Sequence, residues 1–102
     1  MITARFLLLE NGVVRKTIPL DGRVMHIGRD RDCEIPINYN SLSRFHAQVV
    51  LREDGNFVIR DLDSKNGTRV NDRPVREHFL QEGDRVQLGK YTLLFRLESP
   101  NG

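Results

Sequence analysis

The chain has no tryptophan, a single cysteine and no long apolar run. One cysteine cannot close an intramolecular bridge, so Cys33 reads as a small packing residue. Its neighbours Asp32 and Glu34 would raise a thiol pKa, which argues against a nucleophile. No charged-then-apolar leader and no span long enough for a bilayer are visible, so no membrane partner is expected and the setting reads as reducing and cytoplasmic. A basic block is missing as well: 16 Lys and Arg are dispersed among 14 Asp and Glu, for a formal net charge of +2. That speaks against nucleic acid as a partner, which calls for a dense basic stripe. Paired carboxylates, metal-ligand spacings and an activated nucleophile are all lacking. No catalytic residue, metal, cofactor or small-molecule substrate is therefore expected, and the chain reads as a non-enzyme.

What is present is enough for one domain. At 102 residues and 38% hydrophobic content, the chain can bury a core without disulfides or metals. Arginine supplies 13 of the 16 basic residues. Its planar fork suits bidentate contacts to oxyanions, where lysine acts as a point charge.

Alternation dominates the pattern. Phe45, Ala47, Val49 and Leu51 fall on one face of a strand, and Tyr91, Leu93, Phe95 and Leu97 on one face of another. Further apolar runs at Ile2–Leu9, Val13–Leu20, Val24–Ile27, Phe57–Leu62 and Arg85–Leu88 are punctuated by Asn11-Gly12, Asp21-Gly22, Asp54-Gly55, Asn66-Gly67 and Glu82-Gly83-Asp84. Such pairs accept the positive φ of tight hairpins. Short strands with regular turn signals, and no sustained period of 3.6, predict an all-β sandwich of two antiparallel sheets. Residues 1–98 read as the domain, and residues 99–102 (Ser99-Pro100-Asn101-Gly102) as the start of a linker or flexible tail.

Three polar clusters interrupt the strands: Gly28-Arg29, Ser43-Arg44-Phe45-His46, and Asp61-Leu62-Asp63-Ser64-Lys65-Asn66-Gly67-Thr68. Arg29 follows a glycine at a strand end, a position that suits a phosphate clamp, although taken alone it favours an ordinary surface arginine paired with Asp30 or Asp32. Ser43 offers a hydroxyl to a ligand or to its own turn. Asn66 carries both an amide donor and a carbonyl acceptor, which suits a peptide backbone, although this cluster taken alone favours an ordinary Asn-Gly hairpin. A Ser43–His46 catalytic pair is disfavoured, because three residues at a strand start put the two side chains on opposite faces. His26 and His78 read as packing or surface residues. Gly83 to Gly89-Lys90 imitates a nucleotide loop, but with five intervening residues and Tyr91 where Ser or Thr belongs.

In this order and spacing the clusters resemble the forkhead-associated (FHA) family, over about Arg5 to Leu97. The resemblance implies a sandwich of about eleven strands with the recognition loops at one end, binding a phosphothreonine-containing protein or peptide. It implies that Arg29 and Ser43 hold the phosphate, that Arg44 contacts the peptide backbone or adds charge near the phosphate, and that Asn66 reads the main chain beside it. Gly28, His46, Gly67 and Thr68 support the site, His46 by hydrogen-bonding within the fold and Thr68 by starting the next strand. Lys65 replaces the hydroxyl residue often found there, and its reach includes the phosphate. The family also contains members that bind unphosphorylated surfaces. Intact Arg29, Ser43 and Asn66 favour the phosphate-dependent kind.

Overall fold

The structure, a computed structural model, describes residues 3–98; Ser99–Gly102, read above as a tail, lie outside them. Eleven strands form: β1 (Thr3–Glu10), β2 (Val13–Pro19), β3 (Val24–Gly28), β4 (Ile35–Pro36), β5 (Ala47–Leu51), β6 (Phe57–Asp61), β7 (Thr68–Val70), β8 (Arg73–Val75), β9 (Glu77–Phe79), β10 (Arg85–Leu88) and β11 (Tyr91–Glu98). They build two sheets, ordered β2-β1-β11-β10-β7-β8 and β4-β3-β5-β6-β9. The expected two-sheet sandwich is what the chain forms. Its one departure from antiparallel pairing is β4, which runs parallel to β3.

Period-two alternation explains which faces meet. Ala4, Phe6 and Leu8 of β1, Val86 and Leu88 of β10, and Leu93 and Phe95 of β11 point inward from one sheet. Met25, Ile27, Ala47, Val49 and Ile59 meet them from the other. The Phe95 ring stands edge-on to Phe6 at 5.9 Å and to Phe57 at 5.8 Å between centroids. Each fully buried side chain of this size contributes roughly 1.5–3 kcal/mol.

Two of the expected faces are shorter than the alternation suggested. Phe45 precedes β5 and is 44% exposed, its ring edge-on to His26. Leu97 is 38% exposed near the end of β11. Phe45 stands in the bend ahead of β5, which turns its ring outward onto His26 while His46 is buried in its stead. Conversely, Val58 and Ile59 are both buried although neighbours in a strand face opposite ways. On the outer face Val58 sits in register between Val50 and Phe79, with the Arg52 guanidinium over the Phe79 ring, so this side is covered too.

His78, read above as a packing or surface residue, and Asp84 of the Glu82-Gly83-Asp84 turn form a polar hub. The Asp84 carboxylate accepts bonds from His78 Nε2 (2.8 Å), Asn71 Nδ2 (2.9 Å) and the Gln81 N–H (2.8 Å). Burial pushes its pKa up, but these donors outweigh burial and leave it below the usual carboxylate range. The hub ties the β9–β10 turn to the β7–β8 turn.

Candidate functional site

The segments between β3 and β5 and between β6 and β7 bring all three polar clusters together at one end of the sandwich. Gly28 is the first hinge of this arrangement. A Cβ there would lie 2.1 Å from the Arg44 carbonyl oxygen and 3.1 Å from Cys33 Sγ, so only glycine lets the Ser43-Arg44 backbone lie against β3. That backbone is then fastened: Arg29 N–H donates to Ser43 O (3.1 Å) and Asp30 N–H to Arg44 O (3.0 Å). The Cys33 thiol also donates to Arg44 O, at 3.4 Å. Burial, then the nearby Asp30 and Glu34 carboxylates, push this thiol's pKa up, consistent with a packing residue.

Arg29 is exposed and donates through Nε to Leu42 O at 3.2 Å, which turns the guanidinium toward the Ser43 loop. Neither Asp30 nor Asp32 neutralises it. Asp30 is taken instead by Arg44, at 2.9 Å. The Asp32 N–H, and after it the Arg44 guanidinium, hold the Asp30 carboxyl below its usual range. Among the described residues no carboxylate forms an ion pair with Arg29 or Lys65. The two terminal nitrogens of Arg29 therefore face solvent as unspent donors.

His46 binds the two loops to each other. It is only 1% exposed, and the Ser43 N–H donates to its Nδ1 at 3.2 Å while Nε2 reaches Gly67 O at 2.8 Å. Since Nδ1 accepts, the ring proton sits on Nε2 and donates to the carbonyl. The Ser43 and His46 side chains do not pair, as expected, but the reason differs: Arg44 and Phe45 form bends ahead of β5, and the ring folds back onto the Ser43 backbone amide. The Ser43 hydroxyl itself is elsewhere, accepting the Lys65 N–H at 2.8 Å. With its oxygen so used, the hydroxyl hydrogen is left for an incoming acceptor.

Asn66 closes the surface. Its Nδ2 donates to Ser41 O at 2.8 Å, which assigns the amide orientation and leaves Oδ1 outward as an acceptor. Gly67, at φ +79°, supplies the left-handed turn that carries its carbonyl to His46. Beneath the loop, buried Thr68 opens β7 and donates to Asp61 Oδ1 at 2.7 Å. Ser64 Oγ donates to the same carboxylate at 2.5 Å. Burial raises the Asp61 pKa, but the Ser64 and Thr68 bonds outweigh it and hold the group ionised below its usual range. Asp61 and Ser64 lie inside the third cluster, yet residue type alone gave them no role; their place in the motif was the available signal. A hollow of about 240 Å³ opens beside Asn66, lined by Tyr39, Leu42, Arg69, Leu88 and Gly89 among others.

A model of the FHA domain matches residues 25–89. The chain belongs to the FHA domain family. The oxoglutarate dehydrogenase inhibitor of Corynebacterium diphtheriae is 40% identical over 81 residues, which are 79% of this chain and 55% of that protein. The glycogen accumulation regulator GarA of Mycolicibacterium smegmatis is 42% identical over 76 residues, 74% of this chain and 48% of that protein. This FHA domain thus spans about half the length of the curated relatives it matches. A solved structure from a study of phosphothreonine-dependent FHA domain interactions superimposes with a TM-score of 0.84 at 30% identity, covering 95% of this chain and 98% of that one.

In this FHA domain His46→Ala is expected to lower stability and binding together. It leaves the Ser43 N–H and the Gly67 carbonyl without their partner in a partly buried setting, where water offsets part of the roughly 1–3 kcal/mol that a buried unsatisfied group costs. Thermal unfolding and phosphopeptide titration of the same preparation check it. Binding lost with unchanged unfolding would mean that His46 touches the ligand itself.

Proposed function

We propose that this FHA domain, taken as residues 1–98, is a phosphothreonine-dependent protein-binding module that recruits or regulates a partner marked by a Ser/Thr kinase. The observation that carries this reading is Arg29. An exposed guanidinium with two free nitrogens is tied to the loop that carries a hydroxyl whose hydrogen is also free, while the carboxylate next in sequence, Asp30, is occupied by Arg44. An oxyanion satisfies both at once: Arg29 and Ser43 donate to phosphate oxygens, and Lys65 adds charge from an exposed position. Asn66 Oδ1 accepts from the peptide backbone next to the phosphothreonine. Arg44, being paired with Asp30, contributes less to the phosphate than Arg29 does. Binding is the whole mechanism, with no bond made or broken. The regulatory names of the relatives, an inhibitor and a regulator, and the phosphothreonine dependence studied in the superimposed structure support the same direction.

The test is a titration of three peptides that differ at one residue: phosphothreonine, phosphoserine and unmodified threonine. The phosphothreonine peptide is expected to bind best, because the family resemblance implies a small pocket for its methyl. Burying one methyl contributes roughly 0.8 kcal/mol, and shape fit raises the discrimination to roughly 1–3 kcal/mol, about 10- to 200-fold. Added salt is expected to weaken both phosphopeptides while preserving most of their ratio, since salt screens charge and leaves methyl burial nearly untouched. Equal affinity for the unmodified peptide would overturn the reading. Equal affinity of the two phosphopeptides would reduce it to phosphate recognition without threonine selectivity.

A further inference from the structure

We propose that Asn66-Gly67 is a covalent modification site, at which spontaneous deamidation of Asn66 turns the recognition surface off. The proposal rests on the phosphopeptide reading above and adds a form of regulation to that site. Asn66 is exposed, and the residue after it has no side chain to shield its backbone nitrogen. In the reaction Gly67 N loses its proton to solvent base and attacks Asn66 Cγ. The N–Cγ bond forms, the Cγ–Nδ2 bond breaks, and Nδ2 takes a proton from solvent and leaves as ammonia. Water then opens the five-membered imide. Opening at Cγ gives aspartate, and opening at the backbone carbonyl gives isoaspartate, with an extra methylene in the main chain.

Either product damages this surface in two ways. Both lose the Nδ2 donor that holds Ser41 O at 2.8 Å: in aspartate a carboxylate oxygen replaces it and faces the carbonyl as a second acceptor, and in isoaspartate Cγ becomes main chain and the carboxylate moves to Cα. A negative charge also arrives on the loop that is to receive a phosphate, one residue from Lys65 and linked through the Lys65 N–H to Ser43. The same lock that builds the site restrains the chemistry. Asn66 Nδ2 is tied to Ser41 and the Gly67 carbonyl to His46, each at 2.8 Å, so Gly67 N reaches Cγ only when the loop opens. Deamidation therefore reports loop opening, and a bound phosphopeptide that keeps the loop closed slows it. Asn11-Gly12, in a separate hairpin turn with φ of 52° and 81°, provides an internal comparison away from this lock.

Ageing the domain in mildly alkaline buffer, with and without an alanine-flanked phosphothreonine peptide, and mapping it by mass spectrometry tests the proposal. The expected result is conversion at Asn66, loss of peptide binding in step with it, slower conversion with peptide present, and faster conversion in His46→Ala. Asn66→Asp in fresh protein is expected to bind at least about tenfold more weakly. An Asn66 that stays intact while Asn11 converts overturns the modification. Aged protein or Asn66→Asp that binds as fresh wild type does overturns the switch. Fresh wild-type protein that binds no phosphothreonine peptide overturns the underlying reading and the switch with it, while the mass spectrum still decides whether Asn66 reacts.

Discussion

Arg29→Ala is expected to abolish phosphopeptide binding in a domain that remains folded. The guanidinium makes one structural bond, from Nε to Leu42 O, at the edge of solvent. Its loss costs roughly 0.5–1.5 kcal/mol, and the backbone bond from Arg29 N–H to Ser43 O survives the substitution. On the binding side the loss is larger. Two charge-assisted bonds to phosphate, each roughly 1.5–3 kcal/mol, correspond to a fall in affinity of about a hundredfold or more. Arg29→Lys is expected to land between the two, since it keeps the charge and loses the fork. Arg44→Ala is expected to do far less, because it removes an exposed arginine already paired with Asp30. Calorimetry on the three variants, with unfolding curves beside it, separates these outcomes. Unchanged affinity in a folded Arg29→Ala protein would remove Arg29 from the phosphate site.

The sequence showed the long strands because period two needs length to be seen. β1 and β11 run for eight residues each, and their inward residues form the centre of the core. β4, β7, β8 and β9 have two or three residues each, too few to alternate, and were absent from the pattern. The parallel β3–β4 pair joins residues only eight positions apart, Ile27 with Ile35, but a two-residue strand carries no alternation to mark it and its direction is set by the course of the connecting segment, which local propensity does not encode. At the candidate site the order of the three clusters was readable, and so were the residue types that suit phosphate. The lock was not. Its acceptors are main-chain carbonyls of Ser41, Leu42 and Gly67, and every residue carries a carbonyl, so no side-chain signature marks which ones are used. The Asp30–Arg44 pair was invisible for a related reason: several acids flank Arg29, and only the fold decides which arginine each one meets.

Gly28 was readable as part of a motif, but its physical necessity lies in the backbone of a residue sixteen positions later. Gly28→Ala is accordingly expected to be the most damaging single-methyl change at this end of the molecule. The added Cβ would sit 2.1 Å from Arg44 O and 2.8 Å from its carbonyl carbon, and main chain cannot rotate aside as a side chain can. Relief requires the Ser43-Arg44 segment to move off β3, which strains or breaks the bonds from Arg29 N–H and Asp30 N–H. Overpacking and two weakened bonds together cost roughly 2–5 kcal/mol, and for a domain near this size that lowers the melting temperature by roughly 10–30 °C. Binding is expected to fall as well, because the displaced segment carries the Ser43 hydroxyl away from Arg29. Gly12→Ala is the matching control: at φ +81° it meets no atom within 4 Å, so it isolates backbone strain from collision. That strain is worth roughly 1–2 kcal/mol, and with the recognition loops untouched, phosphopeptide affinity is expected to be unchanged. Urea unfolding of the two variants side by side, with titration of each folded protein, distinguishes the effects. A Gly28→Ala domain as stable as Gly12→Ala, with full affinity, would show that the Ser43-Arg44 backbone is not packed against β3 in solution.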